Sequence, residues 1–222
     1  MATVCYFPSS GTAPVSPTPS GTDWNLHINT VSRPLEFTRG GSALVSLAYN
    51  PDAVDHLVDG NSMIVQFVSP ILPPQAVAAQ QIYCGFRAFE VVASNNLFPC
   101  FKIYGCNVAG TSNLGNIVPF RRSAVLELAT ALTGVSEAMA GSAVTFNEPW
   151  RLVVELGAGG LPVDTTTDTH NASIAFGSPL ATGALNLPQN ADVTAATPLL
   201  LFSNDIITSF LRPRAAHQLV GG

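Results

Sequence analysis

The chain has 222 residues, of which 47% are hydrophobic and 10% are charged, and its formal net charge is −5. Soluble domains ordinarily carry roughly 25% charged residues, so this chain is poor in ionic groups. No apolar run reaches the ~18–20 residues that cross a bilayer, so the low charge does not indicate a membrane protein. The longest basic run is Arg121-Arg122, which argues against nucleic acid as a main partner. We expect a protein that covers part of its surface with protein partners.

The N-terminal region, residues 1–28, is predicted to be a short strand followed by an extended arm. Residues 3–7 (TVCYF) favour a strand, and residues 8–22 contain four prolines among Ser, Thr and Gly. Proline interrupts helices and central strands, so this composition favours an extended arm. Two interpretations stay open, a free leader or a strap that lies on a neighbouring subunit. Trp24 is the expected anchor of the arm.

The rest of the chain predicts short strands separated by turn signals. We expect an all-β fold, an antiparallel two-sheet β-sandwich of jelly-roll type, over residues 29–205, followed by a C-terminal tail over residues 206–222. Residues 123–132 (SAVLELATAL) fit either a strand or a helix. The other predicted strands are residues 43–48, 63–68, 82–92, 97–104, 117–120, 143–146, 150–156, 173–176 and 199–202.

Residues 85–106 (GFRAFEVVASNNLFPCFKIYGC) are predicted to form a hairpin at the centre of the sheet. The joint is residues 93–96 (ASNN), because Asn and Ser suit turns. In the second strand, alternation places Leu97, Pro99, Phe101 and Ile103 on one side and Phe98, Cys100, Lys102 and Tyr104 on the other. Pro99 suggests a strand at the rim of the sheet, because proline cannot donate to a ladder. The second side is expected to be a partly covered surface, most simply a protein–protein contact; a second core layer and a sugar-stacking platform are the alternatives.

Residues 150–156 (WRLVVEL) show the clearest alternation in the chain. Trp150, Leu152, Val154 and Leu156 are predicted to face the core, and Arg151, Val153 and Glu155 are predicted to face outward. The residues that follow, 157–173, are rich in Gly, Thr and Asp and are predicted to form a long loop.

The sequence contains no established catalytic signature, so we expect no enzyme activity and no cofactor. Motifs of serine hydrolases, nucleotide-binding loops and zinc proteases are absent. The acidic loops with Asp164, Asp168 and His170, and with Asp52, Asp55, His56 and Asp59, are interpreted as solvated turns rather than metal sites. Without a signal peptide the chain is expected to be made in the cytoplasm. The cysteines should then be reduced, buried thiols, because their spacing fits no zinc site: Cys5, Cys84, Cys100 and Cys106.

Several short motifs, in order along residues 1–205, resemble a family of small β-sandwich virion structural proteins of tailed bacteriophages. The first are residues 2–7 (ATVCYF), 11–17 (GTAPVSP) with Trp24, and 67–72 (FVSPIL). Arg87, Glu90 and residues 93–99 (ASNNLFP) follow, although Val91-Val92-Ala93 stand where the family runs from the Glu directly into Ser-Asn. The last matches are residues 151–157 (RLVVELG), 173–177 (SIAFG), 187–188 (LP) and 198–203 (PLLLFS), where the family's C-terminal Trp and Glu are replaced by leucines.

The resemblance implies a β-sandwich component of the virion. Together with the low charge, the proline-rich arm and the aromatic side of the sheet, it favours a capsid decoration or cement protein that binds the major capsid protein and forms a homo-oligomer on the capsid surface. The alternative is a tail- or fibre-associated module that binds a host-surface glycan or receptor. No nucleic acid, membrane or metal partner is expected. The residues predicted to lie in interfaces are Pro14, Pro17, Trp24, Phe98, Lys102, Tyr104, Arg121 and Arg122.

Overall fold

The computed structural model describes residues 2–25, 27–38, 45–49, 60–90, 96–124, 127–160, 172–176 and 199–208. Their regular elements are all β-strands, and no membrane-spanning helix occurs among them. The strands are β1 (Thr3–Tyr6), β2 (His27–Ile28), β3 (Ser32–Pro34), β4 (Val45–Tyr49), β5 (Asn61–Val68), β6 (Gln75–Val77), β7 (Gln80–Glu90), β8 (Leu97–Asn107), β9 (Asn113–Arg122), β10 (Thr133–Gly141), β11 (Val144–Phe146), β12 (Trp150–Gly160), β13 (Ala172–Phe176) and β14 (Leu199–Phe202).

The first large sheet is built around β7. Strand β10 pairs with one edge of β7, along Gln80–Ala88. The opposite edge of β7 pairs first with β14 and then, further along, with β13. Strand β14 then pairs with β1, and β13 pairs with β4, all antiparallel. A separate two-stranded sheet joins β6 and β11.

The second large sheet has β12 at its centre, between β5 and β8, and β9 continues the sheet beyond β8. The other edge of β5 pairs in parallel with β2 and β3, which follow one another along it. A bulge in β5 at Ile64 lies opposite the step from Leu156 to Gly157 in β12. Because a bulge shifts the alternation by one residue, Met63 and Gln66 both face the outer side of this sheet.

The two large sheets pack face to face, which confirms the predicted all-β sandwich. Aromatic rings meet across the interface, Phe86 of β7 with Phe101 of β8 at 5.7 Å, and Phe67 of β5 with Phe176 of β13 at 5.3 Å between centroids. Most buried apolar side chains belong to this single core. The chain passes repeatedly between the sheets, from β4 to β5, β7 to β8, β9 to β10 and β12 to β13. Such crossing connections are typical of jelly-roll sandwiches.

The predicted central hairpin is wrong. Strands β7 and β8 are both present, but β7 lies in the first sheet and β8 in the second, so the residues between them cross from one sheet to the other. Strand β8 is also an interior strand rather than a rim strand. Proline is tolerated at position 99 because no ladder hydrogen bond from its nitrogen is needed there. The Pro99 carbonyl accepts the Ser123 N–H, and in a strand the nitrogen of a residue points to the same side as its carbonyl. The Pro99 nitrogen therefore points past Arg122, the last residue of β9.

Two other segments differ from the prediction. The described part of residues 123–132 is neither strand nor helix. Strand β10 (TGVSEAMAG) was not predicted, and its small residues show why, since they have little intrinsic β propensity. Both acidic loops, with Asp52 to Asp59 and with Asp164 to His170, lie outside the described residues, as does nearly all of the predicted tail.

Candidate functional site

The arm, defined here as residues 8–25, lies across the outer side of the second sheet of its own chain. This is not the arrangement of a free leader, because the arm is a strap that the chain lays on its own sheet. We call the covered surface the strapped face. It is made by outward side chains of three adjacent strands, namely Met63, Gln66, Val68, Cys100, Lys102, Tyr104, Cys106, Arg151, Val153 and Glu155.

Two small apolar clusters attach the arm to the strapped face. Ala13 and Val15 pack on the first cluster, which consists of Val68, Tyr104, Cys106 and Val153. Trp24 forms the second cluster with Met63 and Cys100, and its ring meets the edge of Phe120 at 4.9 Å between centroids. Trp24 is 1% exposed, so its predicted role as the anchor of the arm holds within one chain.

Glu155 lies at the centre of the strapped face and is fully buried. The indole N–H of Trp24 donates to Oε2 at 2.6 Å, while the Tyr104 hydroxyl and the Gln66 amide donate to Oε1 at 2.9 and 3.0 Å. The same Gln66 amide nitrogen also donates to the carbonyl of Pro17 at 3.2 Å. A buried carboxylate is costly unless hydrogen-bonded, and here three donors from arm and sheet satisfy it. Arm closure and charge burial are therefore coupled.

Lys102 adds an ion pair to this attachment. It lies opposite Glu155 in the β8–β12 ladder, and its ammonium is 2.5 Å from Oδ2 of Asp23 in the arm and 5.2 Å from the centre of the Tyr104 ring. Lys102 is 5% exposed, whereas the Asp23 side chain is 28% exposed. The pair therefore closes the outer rim of the network, between arm and sheet.

Gly157 makes room for the anchor. A Cβ at this position would lie 2.0 Å from the Ser62 carbonyl oxygen and 2.6 Å from Cζ3 of Trp24. The indole therefore rests in a notch that any larger residue would fill. A second glycine, Gly110, has a φ of +76°, which favours glycine, and it contacts Val15 and Pro17 of the arm.

Both ends of the arm are fixed where it leaves the sandwich. Tyr6 and Glu36 exchange backbone hydrogen bonds in an isolated antiparallel bridge, with the Tyr6 N–H donating at 2.7 Å. Residues 7–35 thus form a loop closed at its base. At the adjacent end of the sheet, the hydroxyl of Ser69 accepts the Leu152 N–H, and the Arg151 guanidinium donates to the carbonyls of Ser69 and Val108.

Two groups beneath the arm, the Tyr104 phenol and the Cys106 thiol, favour their neutral forms. Burial, and then the nearby Glu155 carboxylate, raises the pKa of the Tyr104 phenol. Burial raises the pKa of the Cys106 thiol to about 11, although Arg151 partly opposes this shift. Burial likewise raises the pKa of Cys5 and Cys84 in the main core. No disulfide joins any of the four cysteines, which all lie among the described residues, and all four are buried, as predicted.

The predicted interface residues have different surroundings. Trp24, Lys102 and Tyr104 are buried beneath or within the arm, so the chain itself covers the side of β8 that was predicted to be a partly covered surface. Pro17 is also buried, Phe98 is half-buried and Pro14 is exposed. Arg121 pairs with Glu137 between the edges of the two sheets, and Arg122 donates to the carbonyl of Gly160. These contacts within one chain do not test an interface role.

Sequence reasoning missed the central residue of this site. The alternation placed Glu155 correctly on the outer side of β12, but the prediction took an outward side chain to be exposed to solvent. The sequence did contain a signal, because Glu155 and Lys102 are charged residues within otherwise apolar strands. Charged side chains at such positions need partners, and a proline-rich segment ending in Asp23-Trp24 can supply both an acid and an N–H donor.

Three cavities border the arm. One of about 110 Å³ is lined by Pro17, Lys102, Tyr104 and Cys106, and one of about 220 Å³ by residues 16–19, Met63 and Gln66. A third, of about 470 Å³, lies between Pro14, Val68, Ile71 and Arg151. No group of three or more potential metal ligands occurs in the part of the chain that the structure describes.

In the described part of the chain, several charged side chains lie inside and few are fully exposed. Among the described charged residues, the exposed class contains Glu127, Glu148 and Asp205, and the buried ones are Glu90, Lys102, Glu137, Arg151 and Glu155. Large exposed apolar side chains are few in the same ranges: Ile71, Val108 and Ile207. The described surface is thus largely made of neutral polar and small residues.

No protein-family model matches the chain, and no curated protein matches it. Its fold is similar to a CocE/NonD family hydrolase from Staphylococcus aureus, at 10% identity over 91% of this chain and 36% of that chain, with a TM-score of 0.47. An aminopeptidase from a Thaumarchaeota archaeon also has 10% identity and a TM-score of 0.47, over 76% of this chain and 35% of that one. The infectious bursal disease virus VP2 subviral particle gives 12% identity and a TM-score of 0.23, over 79% of this chain and 40% of that one.

The chain therefore spans between about a third and two-fifths of the length of these proteins. At such low identity these similarities concern the fold alone, and at these TM-scores they carry no argument about function.

Proposed function

We propose that this protein is a structural component of a bacteriophage virion, most specifically a decoration or cement protein that binds across subunits of the major capsid protein. The observation that carries the proposal is that, among the described residues of this sandwich, few charged side chains are exposed and five are buried. Charged groups lose much hydration when a protein interface forms, and neutral polar surfaces lose less. A chain that places five charged side chains inside keeps this cost of docking low.

The residues that carry the resemblance to virion proteins support the proposal, because they hold the fold together. Trp24 and Glu155 bond to each other, and Ser69 and Arg151 fix the adjacent end of the sheet. Glu90 accepts the Leu97 N–H at 3.0 Å and so braces the crossing from β7 to β8. Motifs that stabilise the fold in this way are expected in a structural protein, whose function depends on a stable and defined shape.

The proposal includes no catalysis. Glu155 and Tyr104 are the most chemically distinctive pair on the strapped face, but both are buried and their hydrogen bonds are made within the chain. The glycan-binding alternative relied on Phe98, Lys102 and Tyr104 as an exposed platform. Two of these three residues lie under the arm, so no specific observation favours that alternative.

The test is co-sedimentation of the purified full chain with assembled shells of the major capsid protein from the same virus, followed by cryo-electron microscopy of the decorated shells. We expect saturable binding and density at positions that recur with the symmetry of the shell. A control shell from an unrelated phage should bind nothing. A chain that stays in the supernatant with its cognate shell at every concentration would contradict the proposal.

A further inference from the structure

The arm is attached at a few points rather than by a ladder. Each hydrogen bond described between residues 17–25 and the second sheet uses a side chain on at least one side. These are the bonds of Trp24 and Gln66 already given, the Lys102–Asp23 pair, and two bonds at Asn61, whose N–H donates to Oδ1 of Asn25 and whose side-chain amide donates to the carbonyl of Asp23. Such an attachment can be released without breaking the strands of the sheet.

Open pockets border parts of the arm. The three described above are lined by Pro14 and by residues 16–20 of the arm together with residues of the sheet. A side chain beside an open pocket has fewer dispersion contacts on that side. Residues 14–20 are therefore packed on the sheet only in part, whereas Trp24 is 1% exposed.

The topology permits the whole N-terminal segment to move as a unit. Strand β1 lies at an edge of the first sheet, where it pairs with β14, and the arm lies outside the second sheet. Withdrawal of residues 2–25 breaks the β1–β14 ladder, the Tyr6–Glu36 bridge and the arm contacts, and it also removes Cys5 and Phe7 from the main core, where Phe7 lies 4.5 Å from Phe67 between ring centroids. It draws no strand out from between two others. Strands β2 and β3 can stay on β5.

We propose that the strapped face is an acceptor for the arm of a second copy of this chain, so that two copies can exchange residues 2–25. In the exchanged pair, Trp24 of one copy donates to Glu155 of the other, and Lys102 pairs with Asp23 across the two chains. Every contact of the closed monomer is also made in the exchanged pair, between two chains instead of within one. The free energies of the two states therefore differ through the hinge that follows Trp24 and through the entropy lost on association. High local concentration, as between copies held on a lattice, favours exchange.

Lys102 makes the test direct, because it is the only lysine in the chain. Unlabelled and ¹⁵N-labelled full-length protein are mixed in equal amounts, unfolded in urea, and refolded together at millimolar concentration, since β1 must leave its ladder before arms can exchange. A carbodiimide then couples the Lys102 amine to the Asp23 carboxyl, and mass spectrometry of the digest identifies the linked peptides. If exchange occurs, linked peptides of mixed isotope appear, which join a light arm to a heavy acceptor or a heavy arm to a light acceptor. Complete exchange makes the two mixed kinds together about half of the total, because arms and acceptors pair at random.

Linked peptides of a single isotope alone would overturn the proposal. Native mass spectrometry of the uncoupled mixture is a second readout: mixed-isotope dimers are expected, and monomers alone would contradict it. Lys102→Arg is the matched control, because it keeps the cation but removes the reactive amine; its dimers should persist while its linked peptide disappears. The experiment contains no capsid protein, so its outcome is independent of the proposed virion function.

Discussion

The indole N–H of Trp24 donates to Oε2 of Glu155 at 2.6 Å, and this bond joins two residues that are 131 positions apart in the chain. One partner belongs to the arm and the other to the central strand of the second sheet. Both are buried, so neither can exchange its bond for one to water without moving the arm. Three substitutions test how far the fold depends on this relationship, and the buried thiols give two further predictions.

Trp24→Phe keeps an aromatic ring in the Gly157 notch but removes the N–H donor. Oε2 of Glu155 then loses its partner inside the protein, which should lower the free energy of unfolding by about 1–3 kcal/mol. Urea denaturation followed by circular dichroism measures the change. Trp150→Phe is the matched control: Trp150 donates to the backbone carbonyl of Pro73, a neutral acceptor, so we expect a smaller loss. An equal or greater loss in the control would contradict the importance assigned to the arm.

Glu155→Gln tests the same bond from the sheet side. The new amide can accept through only one oxygen, so one of the three donors from Trp24, Tyr104 and Gln66 must face an N–H₂ group. We expect a loss of about 1–3 kcal/mol in the free energy of unfolding. In a double-mutant cycle with Trp24→Phe the two losses should be non-additive by about 0.5–3 kcal/mol, since the residues share one bond. Strict additivity would show that the two side chains act separately.

Gly157→Ala should detach the arm and also disturb the pairing of β5 with β12 beside it. The added methyl group would fall within 2.6 Å of the Trp24 ring and 2.0 Å of the Ser62 carbonyl oxygen, so both must move. Overpacking of this kind costs about 1–3 kcal/mol. Limited proteolysis should then cut within residues 8–25 much faster than in the parent chain. Gly21→Ala, where a Cβ meets nothing within 4 Å, is the control and should leave the cleavage rate unchanged.

The buried thiols predict how stability depends on pH. An unfolded cysteine loses its proton near pH ~8.5, whereas burial raises the pKa of Cys106 to about 11 and raises those of Cys5 and Cys84 as well. Above ~8.5 the unfolded state therefore binds fewer protons than the native state, so stability falls as the pH rises. The contribution is complete below that pH. Urea midpoints measured from pH 7 to 11 should decrease accordingly.

The same thiols should be protected in the native protein. A disulfide reagent at pH 8 is expected to react slowly with the folded chain and to titrate all four cysteines once the chain is unfolded, because all four are buried. Rapid reaction of one thiol in the native state would show that the arm opens often. Cys100 and Cys106, which line the strapped face, are the residues to identify in that case.

Local sequence patterns predicted faces and strands better than they predicted partners. The alternation in residues 97–104 placed Phe101 and Ile103 in the main core and Cys100 and Tyr104 on the other side, as the structure has them. The joint at residues 93–96 did not show whether the chain turns back within one sheet or crosses to the other. Both connections need the same turn-forming residues, and the choice depends on long-range packing.

The candidate site was predicted only in part for a related reason. The proline-rich composition predicted an extended arm with Trp24 as its anchor, and the outward positions of Arg151, Val153 and Glu155 were correct. The identity of the covering surface was missed, because no periodic pattern links a segment without regular structure to a strand 131 residues away. Strand β10 was missed because pairing with β7, rather than its own composition, makes it a strand.

The Tyr6–Glu36 bridge separates two kinds of arm motion by rate. When Trp24 leaves its notch, the chain remains tethered on both sides, so recapture requires only the closing of a loop of about 30 residues, a process far faster than unfolding. Complete departure must first break the bridge and the β1 ladder. The arm can therefore open and close locally on short timescales. Which sheet it covers is set during folding and then changes only slowly.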